Sequence, residues 1–217
     1  PRLSVPPLAF IDGPNGVSRA RPHVVAFPNA VVLAATWDRG IARAYGTALG
    51  AEVFGTGRNL VGAPTINIVR TPRWGRAAET LGEDPFLAGQ TAAEEVLGIQ
   101  SQHVISEAKH YAGNNQEVGR FGNPLGAPGV DVVVSERALR EIYLPAFRAA
   151  VEQGHVGSVM CSYNRLNGRY SCQSPETLGI LAGEFGFDGF IEPDAALAVR
   201  SDVAAATAGV DNFQLGT

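Results

Sequence analysis

Short apolar runs alternate along this chain with longer stretches in which apolar residues recur at helical spacing. Seven runs have the pattern of strands buried on both faces: Leu8–Asp12, Val31–Thr36, Leu60–Ile68, Val104–Lys109, Gly157–Tyr163, Gly189–Glu192 and Val210–Leu215. Helices are predicted between them. Asp38 is placed to cap one that runs to about Phe54, with Ile41, Tyr45, Leu49 and Val53 along one face. Asp84-Pro85 opens a second, with proline at a tolerated first-turn position. Ser135 begins a third, striped by Leu139, Ile142, Tyr143 and Phe147. Ser174-Pro175-Glu176 starts a fourth, which ends near Phe185.

Strands and helices in alternation specify an α/β protein with a parallel sheet. Seven strands point to a (β/α)8 TIM-like barrel, with a doubly wound open sheet as the rival. A barrel takes about 250 residues, so a chain of 217 residues reads as a barrel incomplete at both ends. The single domain expected is 1–217. The segment Asn114–Val134 is rich in glycine and has no clear period, as expected of a functional or disordered loop.

Composition narrows the function classes. The chain is 45% hydrophobic and 18% charged, with a mean hydropathy of +0.03, which suits a sizeable core and excludes a disordered tail or coiled coil. Its net charge of −4 comes without any basic cluster, so neither nucleic acid nor a membrane surface is expected as the main partner. No run approaches the ~18 apolar residues of a membrane span. The opening Pro1-Arg2-Leu3 carries no secretory leader and reads as a cut, which leaves secreted and cytoplasmic locations both open. Cys161 and Cys172 match no zinc spacing, and either a single bridge or two reduced core thiols would suit them. Of 17 basic residues, Lys109 is the only lysine. A lone survivor of this kind marks a place where a planar arginine fork cannot stand in for a compact ammonium.

In a parallel barrel, chemistry collects at the carboxyl ends of the strands. There the chain places Asp12; Arg70, Arg73 and Arg76 with Glu79, Glu83 and Asp84; Lys109-His110 followed by Asn114-Asn115-Gln116-Glu117; Tyr163-Asn164; and Glu192-Pro193-Asp194. Each has a structural alternative: turn former, solvated charge cluster or satisfied core histidine. Together at one end of a sheet they suit a polyhydroxylated substrate. Carboxylates accept from vicinal hydroxyls, Arg, Lys and His donate to them, and a further carboxylate can attack an anomeric carbon.

A series of ordered motifs then carries a family resemblance. It comprises Asp12-Gly-Pro-Asn-Gly-Val17, Phe27-Pro28, Ala34-Ala-Thr-Trp-Asp38, Arg70-Thr-Pro-Arg-Trp-Gly-Arg76 and Gly82-Glu-Asp-Pro85. It continues with Gly98-Ile-Gln100, Lys109-His110, Arg140-Glu-Ile-Tyr143, Met160-Cys-Ser-Tyr-Asn164 and Ala208-Gly-Val-Asp211. The series resembles the N-terminal barrel domain of glycoside hydrolase family 3, the β-glucosidase and β-xylosidase family, over nearly the whole chain. The resemblance implies hydrolysis of a β-linked glucoside, xyloside or related small glycoside by a retaining mechanism, with no cofactor and no metal. It implies Asp194 as nucleophile and Asp12, Arg76, Lys109, His110 and Tyr163 as sugar-binding residues. Met160 would pack under the sugar or serve as an ordinary core residue.

Three departures qualify it. The family's usual Ser-Asp-Trp is here Pro193-Asp194-Ala195, without the aromatic on the aglycone side. Tyr111-Ala-Gly-Asn-Asn115 lacks the His-Asp dyad of the N-acetylglucosaminide branch. The acid/base glutamate that two-domain members take from a second, C-terminal domain has no counterpart before Thr217. Two other readings therefore stand beside the glycosidase: a non-catalytic sugar-binding remnant, and a Schiff-base aldolase using Lys109.

Overall fold

A computed structural model describes residues 7–18, 24–122 and 127–213. In chain order the elements begin with β1 (Phe10–Asp12), α1 (Ala30–Ala34), α2 (Arg39–Gly55), β2 (Leu60–Gly62), α3 (Pro85–Gln100), β3 (Ile105–Tyr111) and β4 (Asp131–Val132). Then come α4 (Glu136–Ala138), α5 (Pro145–Glu152), β5 (Ser158–Cys161), β6 (Arg165–Leu166), β7 (Arg169–Tyr170), α6 (Pro175–Gly179), β8 (Phe190–Pro193) and α7 (Asp202–Ala208).

The main sheet has five strands in the order β1-β2-β3-β5-β8, and every pairing is parallel. Spatial order follows chain order with no reversal, so there is no switch point of the kind a doubly wound sheet requires. Among the described residues the sheet does not close into a barrel.

Helix starts follow their capping chemistry. Asp38 accepts from the Gly40 and Ile41 amides at 2.7 and 3.1 Å, and Asp84 from Phe86 and Leu87 at 2.8 and 3.0 Å. Ser135 and Ser174 cap α4 and α6 in the same way. Helices α2 and α3 approach closely enough that a Cβ on Gly46 would lie 2.1 Å from the Glu95 carbonyl oxygen. This face of α2 buries Ala42, Tyr45, Leu49 and Val53; Ile41, predicted to share it, is exposed. The helix predicted from Ser135 is divided into α4 and α5 by a π-helical segment at Leu139–Tyr143, and the one from Ser174 ends in a π-helical turn at Ile180–Glu184.

Three strand predictions need correction. Val31–Thr36 falls largely in helix α1, with Ala30, Leu33 and Ala34 buried while Val31 and Val32 face outward. A run of five apolar residues satisfies either period, and here packing selected the helix. The strand predicted over Leu60–Ile68 ends at Gly62, because Pro64 has no N–H for the ladder. It nevertheless returns to β3, where Ile66 donates to the Lys109 carbonyl at 2.8 Å. Residues 210–213 of the predicted Val210–Leu215 form no strand, although Asp211 and Asn212 both donate to the Ile191 carbonyl. Leu215 lies outside the described residues.

A second, small sheet joins β4, β6 and β7. Its hairpin turns at Asn167-Gly168, both with positive φ (49° and 91°), the two-residue turn that Asn-Gly favours. The cysteines are paired: Cys161 and Cys172, 11 residues apart with a Cα separation of 5.2 Å, form a buried disulfide that ties this excursion to the end of β5.

Candidate active site

The sheet explains how polar residues far apart in sequence come to share one rim. Asp12 ends β1, Lys109 and His110 lie near the end of β3, Tyr163 follows β5, and Asp194 follows β8. In parallel register Asp12 lies opposite Gly62, Lys109 opposite Met160, and Met160 opposite Glu192. Neighbours in register present side chains to the same face, so Lys109, Met160 and Glu192 form one row.

Lys109, only 3% exposed, forms an ion pair through Nζ with Asp12 Oδ1. Burial tends to raise the Asp12 carboxyl, but the Lys109 ammonium, with help from Arg76 and the Gly13 amide, holds it below the usual carboxylate range. A Cβ on Gly62 would stand 3.1 Å from Lys109 Nζ and 3.2 Å from Asp12 Oδ1. Glycine at position 62 therefore leaves the room this pair occupies.

His110 is clamped by Asn67, a residue without an assigned role in the sequence reading. Asn67 Oδ1 accepts from the His110 backbone N–H at 2.8 Å, and Nδ2 donates to the His110 carbonyl at 2.8 Å. These two bonds orient the amide. The ring nitrogen Nδ1, 3.0 Å from the same Oδ1, must then carry the hydrogen. Burial first, and then the positive charges of Arg76, Lys109 and Arg120, hold His110 well below its usual range. The ring is therefore neutral, and its Nε2 accepts from Arg76 Nη2 at 3.3 Å. Arg76 also pairs through Nε with Glu79.

Asp194 sits at the centre. Its backbone N–H donates to the Cys161 carbonyl at 2.9 Å, and the Tyr163 hydroxyl lies within the influence of its charge. Its Oδ2 lies 3.7 Å from His110 Nε2 and has no hydrogen-bond partner among the described residues. Burial pushes the Asp194 carboxyl up to about 6, against the pull of Lys109, Arg120 and Arg76. The Tyr163 hydroxyl is raised as well, by burial and then by the Asp194 charge. Met160, 4% exposed, lies in the strand floor beside Lys109.

The structure thus brings Asp12, Arg76, Lys109, His110, Tyr163 and Asp194 into one charged network. It also adds residues from the glycine-rich segment. Arg120 stacks over the rings of Phe121 (4.4 Å) and Tyr163 (5.1 Å), and pairs with Glu117 at 2.9 Å. Glu117 accepts in turn from Trp74 Nε1 at 2.8 Å. Nothing local in Gly119-Arg120-Phe121 announces this role, which depends on the segment folding back over Tyr163. Among the described residues no cluster of three or more His, Cys, Asp or Glu side chains could hold a metal ion.

An α/β chain with a parallel sheet, a buried carboxylate and a ring of donors at the strand ends has the outline of a carbohydrate-active enzyme. The chain matches the glycosyl hydrolase family 3 N-terminal domain over residues 1–211, and it belongs to that family of glycoside hydrolases. It is 38% identical to "Probable beta-glucosidase H" of Neosartorya fischeri, an alignment that takes in 97% of this chain and 25% of that protein. It is 37% identical to "Thermostable beta-glucosidase B" of Acetivibrio thermocellus, covering 97% of this chain and 28% of the relative. Beta-glucosidase 3B of Thermotoga neapolitana, solved in complex with glycerol, superposes with a TM-score of 0.90 at 40% identity, covering 98% of this chain and 30% of that one. A beta-glucosidase of Kluyveromyces marxianus in complex with glucose gives a TM-score of 0.90 at 33% identity, covering 99% and 26%. The chain spans roughly a quarter to three tenths of the length of these relatives.

Proposed function

We propose that this chain is the nucleophile-bearing part of an enzyme that hydrolyses terminal β-D-glycosides, of β-glucosidase type, with retention of configuration. The observation that carries the reading is Asp194. It is a buried carboxylate at a strand end whose Oδ2 has no hydrogen-bond partner among the described residues, with His110 Nε2 3.7 Å away and the charges of Lys109, Arg120 and Arg76 acting on it. Asp194 Oδ attacks the anomeric carbon as the glycosidic C–O bond breaks, forming a glycosyl ester. The leaving oxygen takes a proton from a general acid. Water then cleaves the ester, delivering its proton to the same residue as base.

The binding roles follow from hydrogen-bond chemistry. Asp12 accepts from two adjacent sugar hydroxyls; Lys109 and Arg76 donate. Neutral His110 has already committed its Nδ1–H to Asn67, so its contribution is through the Nε2 edge. Met160 forms part of the floor. Among the described residues, Asp12, Glu79 and Glu117 are already engaged by Lys109, Arg76 and Arg120. The general acid is assigned, as the family resemblance implies, to a glutamate of a second, C-terminal domain of the polypeptide. The short share of each relative that this chain covers supports this assignment.

The ion pair with Asp12 commits Lys109 as an ammonium donor and disfavours an aldolase. The sugar-binding remnant is distinguished by leaving group. A dinitrophenyl β-glucoside needs little protonation, so an intact nucleophile releases one equivalent as a burst even without the acid. A chain that binds glucoside but gives no burst, or Asp194→Ala protein that matches wild type, overturns the assignment.

A further inference from the structure

Asp12 is the last residue of β1, and the four that follow, Gly13-Pro14-Asn15-Gly16, lie outside the five-stranded ladder. Asp12 is exposed at the rim, whereas Gly13, Pro14 and Gly16 are buried. Whatever fixes this turn therefore fixes where the carboxylate stands.

The turn is held on both sides. Toward Asp12, the Gly13 N–H donates to Asp12 Oδ1 at 3.1 Å, and the Ser18 N–H donates to the Asp12 carbonyl at 2.9 Å. On the far side the turn docks onto the segment leading into α1. The Phe27 N–H donates to the Asn15 carbonyl at 3.0 Å, and the Ala30 N–H to Asn15 Oδ1 at 3.1 Å. Backbone packs directly on backbone. A Cβ on Gly13 would lie 2.8 Å from the Gly16 carbonyl oxygen, and one on Gly16 would lie 2.7 Å from the Val25 carbonyl oxygen. With so little slack, a shift at Pro14 is passed to Gly13 and to its bond with Asp12.

Tyr45 closes this arrangement from α2. Its hydroxyl donates to the Pro14 carbonyl at 3.0 Å and to the Pro28 carbonyl at 3.0 Å. Proline has no N–H, so at both residues the carbonyl is the only backbone group that a hydrogen bond can hold. One hydroxyl proton thus joins the turn after β1 to the segment before α1. The ring, 9% exposed, packs edge-on against Phe27 with centroids 5.1 Å apart. Burial, and next the Glu95 charge, raise the hydroxyl above its usual range, so it stays a donor. The chemistry at Asp194 makes no use of this side chain.

We propose that Tyr45 is a positioning residue for sugar binding: its hydroxyl, bridging the Pro14 and Pro28 carbonyls, sets the turn so that the Asp12 carboxylate meets two adjacent sugar hydroxyls. Tyr45 touches no substrate and acts only through Asp12. Without the hydroxyl, both carbonyls lose this donor and the turn shifts to satisfy them elsewhere. The inference rests on the glycosidase reading above, through the sugar contacts given there to Asp12.

The test is Tyr45→Phe in the full-length protein, which removes one oxygen and keeps the ring on Phe27. KM for an aryl β-glucoside should rise about fivefold, the weight of one hydrogen bond, with kcat changed less. In an Asp12→Asn background, followed by kcat/KM, the same substitution should have almost no effect. A fivefold loss that persists there, or a KM in Tyr45→Phe equal to wild type, overturns the inference. Val53→Ala, two turns along the same buried face of α2, controls for lost stability. It should lower the melting temperature and leave KM in place. A KM that rises with lost stability in both variants means a structural role and overturns the inference. Glucose binding, measured by calorimetry, separates this outcome from failure of the glycosidase reading. If wild type cleaves no aryl glucoside, or Asp194→Ala equals it, that reading has failed. Weaker glucose binding in Tyr45→Phe than in wild type then still supports the positioning role; equal binding, or none to either protein, overturns it.

Discussion

The Nε2 of His110 lies 3.7 Å from Asp194 Oδ2, and the opposite edge of the same ring is fixed by Asn67 at 3.0 Å. A neutral imidazole presented in this way gives Asp194 no compensating charge. The cations that favour its ionised form are Lys109, Arg120 and Arg76, set against burial.

The balance at Asp194 predicts an acid limb. The nucleophile works ionised, so kcat/KM for an aryl β-glucoside should fall as pH drops through about 6, the value to which burial pushes this carboxyl. A profile flat down to pH 4.5 would remove Asp194 from the rate-determining chemistry.

The same shift predicts a trade of activity for stability. A carboxyl raised in the folded state contributes stability below its ordinary value of 3.8, which is lost as pH rises through about 6. At pH 7 Asp194→Asn should be inactive yet more stable, by up to about 3 kcal/mol. Thermal melts of the two proteins at pH 4 and pH 7 check this, since the gain should shrink at the lower pH.

Glu95 gives a second pH signature, away from the site. It is 1% exposed on α3, neither oxygen has a hydrogen-bond partner among the described residues, and burial raises it to about 8. Stability from this group is complete below the ordinary value of 4.5 and is lost as pH rises to about 8. Glu95→Met should therefore gain over wild type between pH 5 and pH 9, by about 4–5 kcal/mol at the upper end. Denaturant midpoints across that range measure it, and a constant difference would mean no titration.

The Gly62 site offers a steric test of the Lys109–Asp12 pair. A methyl there meets Nζ and Oδ1 at 3.1 and 3.2 Å and the Phe10 ring at 3.1 Å, so Gly62→Ala should part the pair and also press on β1, which a thermal melt measured alongside KM reports separately. The expected result is a KM raised about tenfold, the loss of one charge-assisted hydrogen bond to substrate. An unchanged KM would separate this pair from binding.

Opening the Cys161–Cys172 bridge should loosen the excursion that carries Tyr163. For an 11-residue separation the chain-entropy relation gives a loss of about 3 kcal/mol. Cys161→Ala/Cys172→Ala compared with wild type in urea should show it, together with reduced kcat if Tyr163 is displaced from Asp194.

The sequence by itself determined the alternation of parallel strands and helices, because apolar runs and caps such as Asp38, Asp84 and Ser174 act locally. It also determined which polar residues stand at strand ends. It misread Val31–Thr36, where five apolar residues suit two periods, and passed over the Asn167-Gly168 hairpin in a search for longer strands. Only the tertiary structure decided that Asn67 sets the tautomer of His110, that Arg120 folds onto Tyr163 and that the two cysteines meet. The first two join residues 43 positions apart, and the cysteines, 11 apart, meet because the excursion after β5 folds back on the strand end. Strand register and burial decide them, and neither is written in any local run of residues.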